Sequence, residues 1–286
     1  MPAKRNGRGL SVKERKLYNR GISDIFKKQG EDVLASKGGP GEFTSTTDDI
    51  SETVDRLNKS VKKVNNADMI WAFLNRINLP AHIIETATPG NNWYIFTQEK
   101  GVYLFKEVRY RDFNDFRIED LPAPVPYVDP LRKIHPCLFN HSTEQTFLSR
   151  VEQSGVLDDL VGVPLLKVDN HRKRNASLGS IEIDGVMAEE TPRGRKPVVA
   201  LIEVKGIDEK ISYEQVVHHY RLAHEEYGPM DPCSIAIQLI TKNTARVLKF
   251  SFESTYECDV AQEWYITFDG DYPDDLFQQP AVHRVH

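Results

Sequence analysis

Ile181-Glu182-Ile183-Asp184-Gly185 and, beyond a polar stretch from Glu189 to Pro197, Ala200-Leu201-Ile202-Glu203-Val204-Lys205-Gly206 are the residues on which the reading of this chain turns. Side chains alternate across a strand, so Glu182 and Asp184 share one face, and Glu203 and Lys205 share one face of the next strand. If the two strands pair as a hairpin, the charges converge. Ile181, Ile183, Val198, Ala200, Ile202 and Val204 take the opposite parity, so the charged positions interrupt a pattern otherwise fit for burial. Two accounts are open for three carboxylates and a lysine so placed. One is an exposed sheet face with cross-strand ion pairs. The other is a site for Mg²⁺, which takes hard oxygen ligands and relieves the repulsion between the acids, beside a lysine that stabilises developing negative charge or orients a water. Gly185 and Gly206 favour the second, because glycine lets backbone turn sharply or approach a ligand closely.

Working outward, the periodicity predicts a helix from Ser142 to Gln153, with Ser142 as its cap and Phe147, Leu148 and Val151 on its core face. Strands are expected at Val163–Val168, Gly179–Ala188 and Val198–Gly206. A helix from Ser212 to Tyr227 follows, then strands at Ser234–Thr241 and Arg246–Phe252. This order implies an α/β fold with a mixed central sheet flanked by helices. The acidic residues that follow, Glu253, Glu257, Asp259, Glu263, Asp269, Asp271, Asp274 and Asp275, read as a solvated surface.

Toward the N-terminus the organisation changes. Residues 1–45 are basic, with Lys4, Arg5, Arg8, Lys13, Arg15, Lys16, Arg20, Lys27 and Lys28, and end in the glycine-rich run 37–41. They read as a flexible arm; Leu10, Tyr18, Ile22, Ile25 and Phe26 supply a weak apolar stripe, so the segment is either a short basic helix or an arm that orders on a partner, with a solubilising tail as the plainer alternative. Residues 46–120 predict two helices, from Ile50, Val54, Leu57, Val61 and Val64 and then from Met69 to Ile77. A hairpin of aromatic-rich strands follows at Trp93–Phe96 and Gly101–Phe105. Helices followed by a hairpin resemble a winged-helix DNA reader, and also many unrelated small domains. Leu121-Pro122-Ala123-Pro124-Val125-Pro126 is stiff and extended, so residues 121–130 read as a linker. Residues 131–286 then form the second domain.

Composition bounds the function. The chain has 286 residues, 40% hydrophobic, with a net charge of −5. That is ample for a folded core, and it argues against a uniformly basic nucleic-acid binder. No stretch approaches a membrane span or a secretory signal, and three scattered cysteines, Cys137, Cys233 and Cys258, form no CxxC pair. A cytoplasmic protein is the expectation. There is no GxxxxGK[ST] loop for a nucleotide cofactor and no GxSxG elbow.

Asp184 followed by Glu203-Val204-Lys205 on the next strand resembles the D…(D/E)-x-K signature of the PD-(D/E)XK nuclease superfamily, the restriction-endonuclease-like fold. The likeness spans about 140–252 and includes an acid in the preceding helix, Glu144, and a glutamine in the following one, Gln215. The block from Glu144 through Gln238 also resembles uncharacterised bacterial endonuclease-like proteins. The residue before the aspartate is Ile183, where the signature has proline. The resemblance implies that Asp184, Glu203 and Glu144 ligate Mg²⁺, for which Mn²⁺ would substitute. It implies that Lys205 positions the attacking water and that Glu144 and Gln215 support the site. Local roles compete for two of these residues. Ser212-Tyr213-Glu214-Gln215 is also a capping box, and Glu144 in a first turn is also favoured by the helix dipole.

Candidate DNA contacts are Arg172, Lys173 and Arg174, and Arg193, Arg195 and Lys196, read as loops flanking the hairpin. His219, one turn beyond Gln215, either meets a phosphate or lies on the helix surface. The expectation is a metal-dependent endonuclease acting on DNA, of the type II restriction or defence kind, working as a homodimer. Alternatives are a DNA-binding protein with a non-catalytic nuclease-like fold and a structure-specific repair nuclease or resolvase.

Overall fold

The computed structural model describes residues 12–30, 41–57, 69–70, 72–73, 78–131, 143–176, 179–190, 194–207 and 209–269. The chain divides into two compact units, one of Met1–Tyr110 with Ser177–Gly179 and the other of Arg111–Ala176 with Ser180–His286.

In the first unit, α1 (Val12–Gln29) buries Tyr18, Ile22, Ile25 and Phe26, which the helical repeat puts on one face. They share a core with Phe43 of β1 (Glu42–Thr46), Ile50 and Val54 of α2 (Thr47–Leu57), and the helical Met69, Ile70, Ala72 and Phe73. Ile83 of the short α3 (Ala81–Ile84), Trp93 and Ile95 of β2 (Asn91–Glu99) and Phe105 of β3 (Val102–Arg109) complete it. Phe26 meets Phe43, Trp93 and Phe105 edge-on, with centroids 5.0 to 5.4 Å apart. Strands β2 and β3 form the expected hairpin, turning at Gly101 with φ +83, and β1 adds antiparallel to β3. The expectation of a flexible arm through residue 45 is therefore corrected over its described part. The apolar stripe of α1 is core, and Arg15, Lys16, Arg20, Lys27 and Lys28 stand on its exposed side.

The second unit begins with Arg111, so the division falls before the proline segment. That segment is not a linker. Its β4 (Val125–Val128) pairs parallel with the last strand and forms one edge of the sheet, a place where the missing N–H of Pro126 is tolerated. Then come α4 (Thr143–Ser154), α5 (Val156–Val161), β5 (Leu165–Ala176), β6 (Gly179–Glu189), β7 (Val198–Lys205), α6 (Tyr213–Glu226), β8 (Asp231–Leu239), β9 (Thr244–Ser254) and β10 (Glu257–Asp269). Among the described residues they build a seven-stranded sheet in the order β4-β10-β9-β8-β7-β6-β5. The fold is mixed α/β, with a large mixed sheet flanked by helices.

Two further expectations change. Glu253 and Glu263 do stand on the surface, with Glu257 and Asp259 half-buried, but the segment is not a tail, because β10 pairs with both β9 and β4 and buries Cys258, Tyr265, Ile266 and Phe268; Asp271, Asp274 and Asp275 lie outside the described residues. Its acids are accommodated by cations on neighbouring segments, Asp259 by Arg111 at 2.8 Å and Glu263 by Arg246 at 2.6 Å. The run 171–174 is strand backbone within β5 rather than a loop, and its side chains lie outside the described residues.

Strand β7 is an interior strand of the sheet, antiparallel to β6 and parallel to β8, with α6 as the crossover between the parallel pair. It is buried on both faces. Val198, Ala200, Ile202 and Val204 pack into one core with Phe147, Leu148 and Val151 of α4, Leu157 of α5, and Ile235 and Ile237 of β8. The opposite parity, Val199, Leu201, Glu203 and Lys205, carries the charge.

Candidate active site

The ladder of β6 with β7 runs from Ala188–Val199 to Gly185–Ile202. One residue further the same register sets Asp184 beside Glu203, and there the Val204 amide donates to Asp184 Oδ2 at 2.8 Å. Parity then puts Glu182, Asp184, Glu203 and Lys205 on one face, as the alternation predicts. The face is not an exposed one. Glu203 is only 6% exposed, and the Lys205 side chain is 14% exposed.

Helix α6 covers this face. Its Ser212 cap accepts the Gln215 amide at 3.4 Å, while the Gln215 side chain does not fold back into a capping box. Gln215 Nε2 instead donates to Glu203 Oε1 at 3.0 Å, and the same oxygen accepts Lys205 Nζ at 2.5 Å. One turn on, His219 is 2% exposed, so it is neither a surface histidine nor placed to touch DNA. Its Nε2 lies 3.5 Å from Glu203 Oε2 and 3.3 Å from the Glu182 carbonyl oxygen. Two acceptors at one ring nitrogen require that nitrogen to carry the proton. Burial pushes the imidazole down to about 4, so the ring is neutral at pH 7 and donates from Nε2. From α6, Gln215 therefore holds Glu203 Oε1, while the His219 proton goes to the Glu182 carbonyl oxygen with Glu203 Oε2 nearby.

Glu144 reaches the site from the first turn of α4, where its carboxylate accepts the Gly206 N–H. A Cβ on Gly206 would stand 2.9 Å from Glu144 Oε1, so glycine is needed there for the close approach of this acid. Gly185 has a different reason. It faces the other way, where a Cβ would meet Glu152 Oε1 at 3.3 Å and Leu148 at 3.5 Å.

The acids outnumber the cations. Burial first, and then the Glu203 charge, raises the Asp184 carboxyl above its ordinary range. Burial likewise raises Glu203 against the pull of Lys205, with Glu182 and Glu209 adding repulsion. Glu144 is raised by burial, then by Glu209 and Asp184. For Lys205, burial opposes the charge but Glu203, Glu209 and Asp184 outweigh it, and the ammonium is held above its usual range. Glu209, in the segment between β7 and α6, belongs to this field although its spacing in the sequence did not single it out. In the sequence His219 reads as a phosphate contact or a surface histidine rather than a buried member of the site, and Gln238 only as the end of the resembling block.

Comparison with family models, with curated proteins and with solved structures finds no match for this chain. The fit to a divalent cation rests on the donor set. Asp184, Glu203 and Glu144 offer hard oxygens in a partly dry site whose mutual repulsion a cation would relieve. As the side chains lie, no three His, Cys, Asp or Glu residues among the described ones are gathered into a coordination group, and Lys205 holds one Glu203 oxygen itself. Of the basic candidates, Arg195 is exposed and pairs with Glu189 at 2.9 Å, Lys196 is exposed, and Arg193 lies outside the described residues.

Proposed function

We propose that this chain is a divalent-cation-dependent endonuclease that hydrolyses phosphodiester bonds in DNA, a type II restriction or defence enzyme of the PD-(D/E)XK kind that acts as a homodimer. The observation that carries the reading is the meeting of Asp184, Glu203 and Lys205 at one end of β7, with carboxylates in excess and with Gln215, His219 and Glu144 closing on them. A structural ion pair has no use for that surplus. A bound Mg²⁺ supplies Lewis acidity and an acidified water when present. Asp184 and Glu203 are the residues to hold it, with Glu144 beside them. Gln215 fixes the rotation of the Glu203 carboxylate, and His219 ties α6 to the Glu182 backbone beside it. Lys205 places a positive charge where the pentavalent phosphate gathers negative charge, and it orients the water for in-line attack.

The first unit supports DNA as substrate. Its order of helix, strand, helix, helical segment and hairpin, with sheet order β1-β3-β2, resembles a winged helix and suits a DNA-reading role. Arg172, Lys173, Arg174, Arg193, Arg195 and Lys196 are the proposed phosphate contacts of the second unit.

One observation favours a second reading, a DNA-binding protein without turnover: Lys205 already occupies a Glu203 oxygen that a cation would need. Incubation of the purified protein with supercoiled plasmid, with Mg²⁺ and with chelator, separates the two. Discrete Mg²⁺-dependent fragments are expected, a smear indicates cleavage without sequence choice, and plasmid left intact at saturating protein rejects the nuclease.

A further inference from the structure

Gln238 lies beside Lys205 in the parallel β7–β8 ladder and on the same face of the sheet. It is 6% exposed. Its Nε2 donates to the Glu209 carbonyl oxygen at 2.9 Å, which settles the orientation of the amide, since a carbonyl can only face the NH₂ end. Oε1 is thereby turned elsewhere, buried and with no hydrogen-bond partner among the described residues. A buried acceptor left unpaired is costly, so a strand that keeps one calls for a reason.

The neighbouring lysine supplies it. Glu203 Oε1 accepts both Lys205 Nζ and Gln215 Nε2, which uses both of its lone pairs. A divalent cation and an ammonium group cannot share that oxygen without placing two positive charges in contact. We propose that Gln238 is a positioning residue whose Oε1 receives the Lys205 ammonium when a divalent cation takes Glu203. The proposal rests on the metal-dependent reading above. On this account Lys205 has two seats on one face of the sheet. On Glu203 it compensates a buried carboxylate in the metal-free protein. On Gln238 it stays charged, and it is held beside the cation rather than on its ligand, which is where a lysine acting on water or phosphate has to be. The Nε2 bond to Glu209 holds the amide in place while the lysine moves.

The experiment is calorimetric titration of Mn²⁺ alone into the full chain, comparing wild type with Gln238→Leu, Gln238→Glu, Lys205→Met and the double variant Lys205→Met/Gln238→Leu. Thermal unfolding without metal checks that each is folded, and Gln238→Met replaces Gln238→Leu if the latter is not. Gln238→Leu is expected to weaken Mn²⁺ binding about tenfold, the scale of one charge-assisted hydrogen bond. Gln238→Glu, which keeps an acceptor but loses the donor to Glu209, is expected to bind at least as tightly as wild type. Lys205→Met is expected to bind at least as tightly too, and adding Gln238→Leu to it is expected to change nothing, because the cation that needed the second seat is gone. Unaltered binding by Gln238→Leu overturns the proposal. So does a loss that persists in the Lys205→Met background, which would place the effect in the Glu209 segment. A wild-type protein that takes up no Mn²⁺ rejects the metal-dependent reading itself, and this proposal with it.

Discussion

The second unit buries two groups of charges, and they are built differently. Arg150 and Asp129, 2% and 0% exposed, pair at 2.8 Å. Arg150 also donates to the Lys242 carbonyl and the Asn243 side chain, and it lies over the rings of Phe147 and Phe268. Asp129 also accepts the Leu131 amide at 2.9 Å. One cation meets one anion, and the remaining bonds tie α4, the β8–β9 turn and the end of β4 together. At the end of β7, one lysine faces Asp184, Glu203, Glu209 and Glu144, and three of those four carboxyls are raised by burial and by one another. The first arrangement is balanced in charge and stabilises a fold. The second is short of positive charge, a deficit that stability alone does not explain and that a ligand would fill.

Substitutions can break or sharpen that contrast. The largest effect is expected on chemistry: Lys205→Met and Asp184→Asn should each lower Mg²⁺-dependent plasmid cleavage by about a thousandfold or more, while the unfolding transition stays cooperative. Normal cleavage by both folded variants would put the two charge groups on the same footing. Next, Arg150→Met strands Asp129 without its partner and should cost about 3–5 kcal/mol in urea unfolding. It should leave divalent-ion affinity unchanged, and altered affinity would show that the groups are coupled.

A smaller effect concerns the metal-free protein. The folded carboxyl of Asp184 titrates above its unfolded value, so the stability it contributes is full below the ordinary carboxylate range, near about pH 4, and is lost as pH rises through the raised folded value. Asp184→Asn should therefore stabilise the metal-free chain at pH 7 by on the order of 1 kcal/mol, with the gain shrinking as pH falls toward that range. A gain independent of pH would remove repulsion as its cause. Smallest of all, Arg195→Ala breaks a half-exposed pair with Glu189 and should reduce the log-log salt slope of DNA binding by about one at most, as read by gel shift.

Much of the second unit was legible in the sequence because its signals are local. The run Val198–Val204 reads as a doubly buried strand, and the parity of Asp184, Glu203 and Lys205 places them on one face. Signals split between distant segments were not legible. The acids of β10 read as a surface, but not the strand's place in the sheet, because its neighbours β9 and β4 and the partners of Asp259 and Glu263, Arg111 and Arg246, come from elsewhere in the chain. The proline segment looked like a linker because only the sheet reveals it as an edge. The stripe of Tyr18, Ile22, Ile25 and Phe26 was visible, but its burial depends on Phe43, Trp93 and Phe105 far along the chain. The helical spacing marked His219 but not its burial, and nothing local gave Gln238 a role, since each gains its place only when α6 and β8 pack against β7.

The central claim is that the acid-rich end of β7 holds a divalent cation. It is tested most directly by growing crystals of the full chain with Mn²⁺ and collecting data at the manganese absorption edge. The account predicts an anomalous peak in contact with the carboxylates of Asp184 and Glu203, with Lys205 Nζ withdrawn from Glu203 Oε1. No peak between those carboxylates at saturating Mn²⁺, with Lys205 still seated on Glu203, would contradict it.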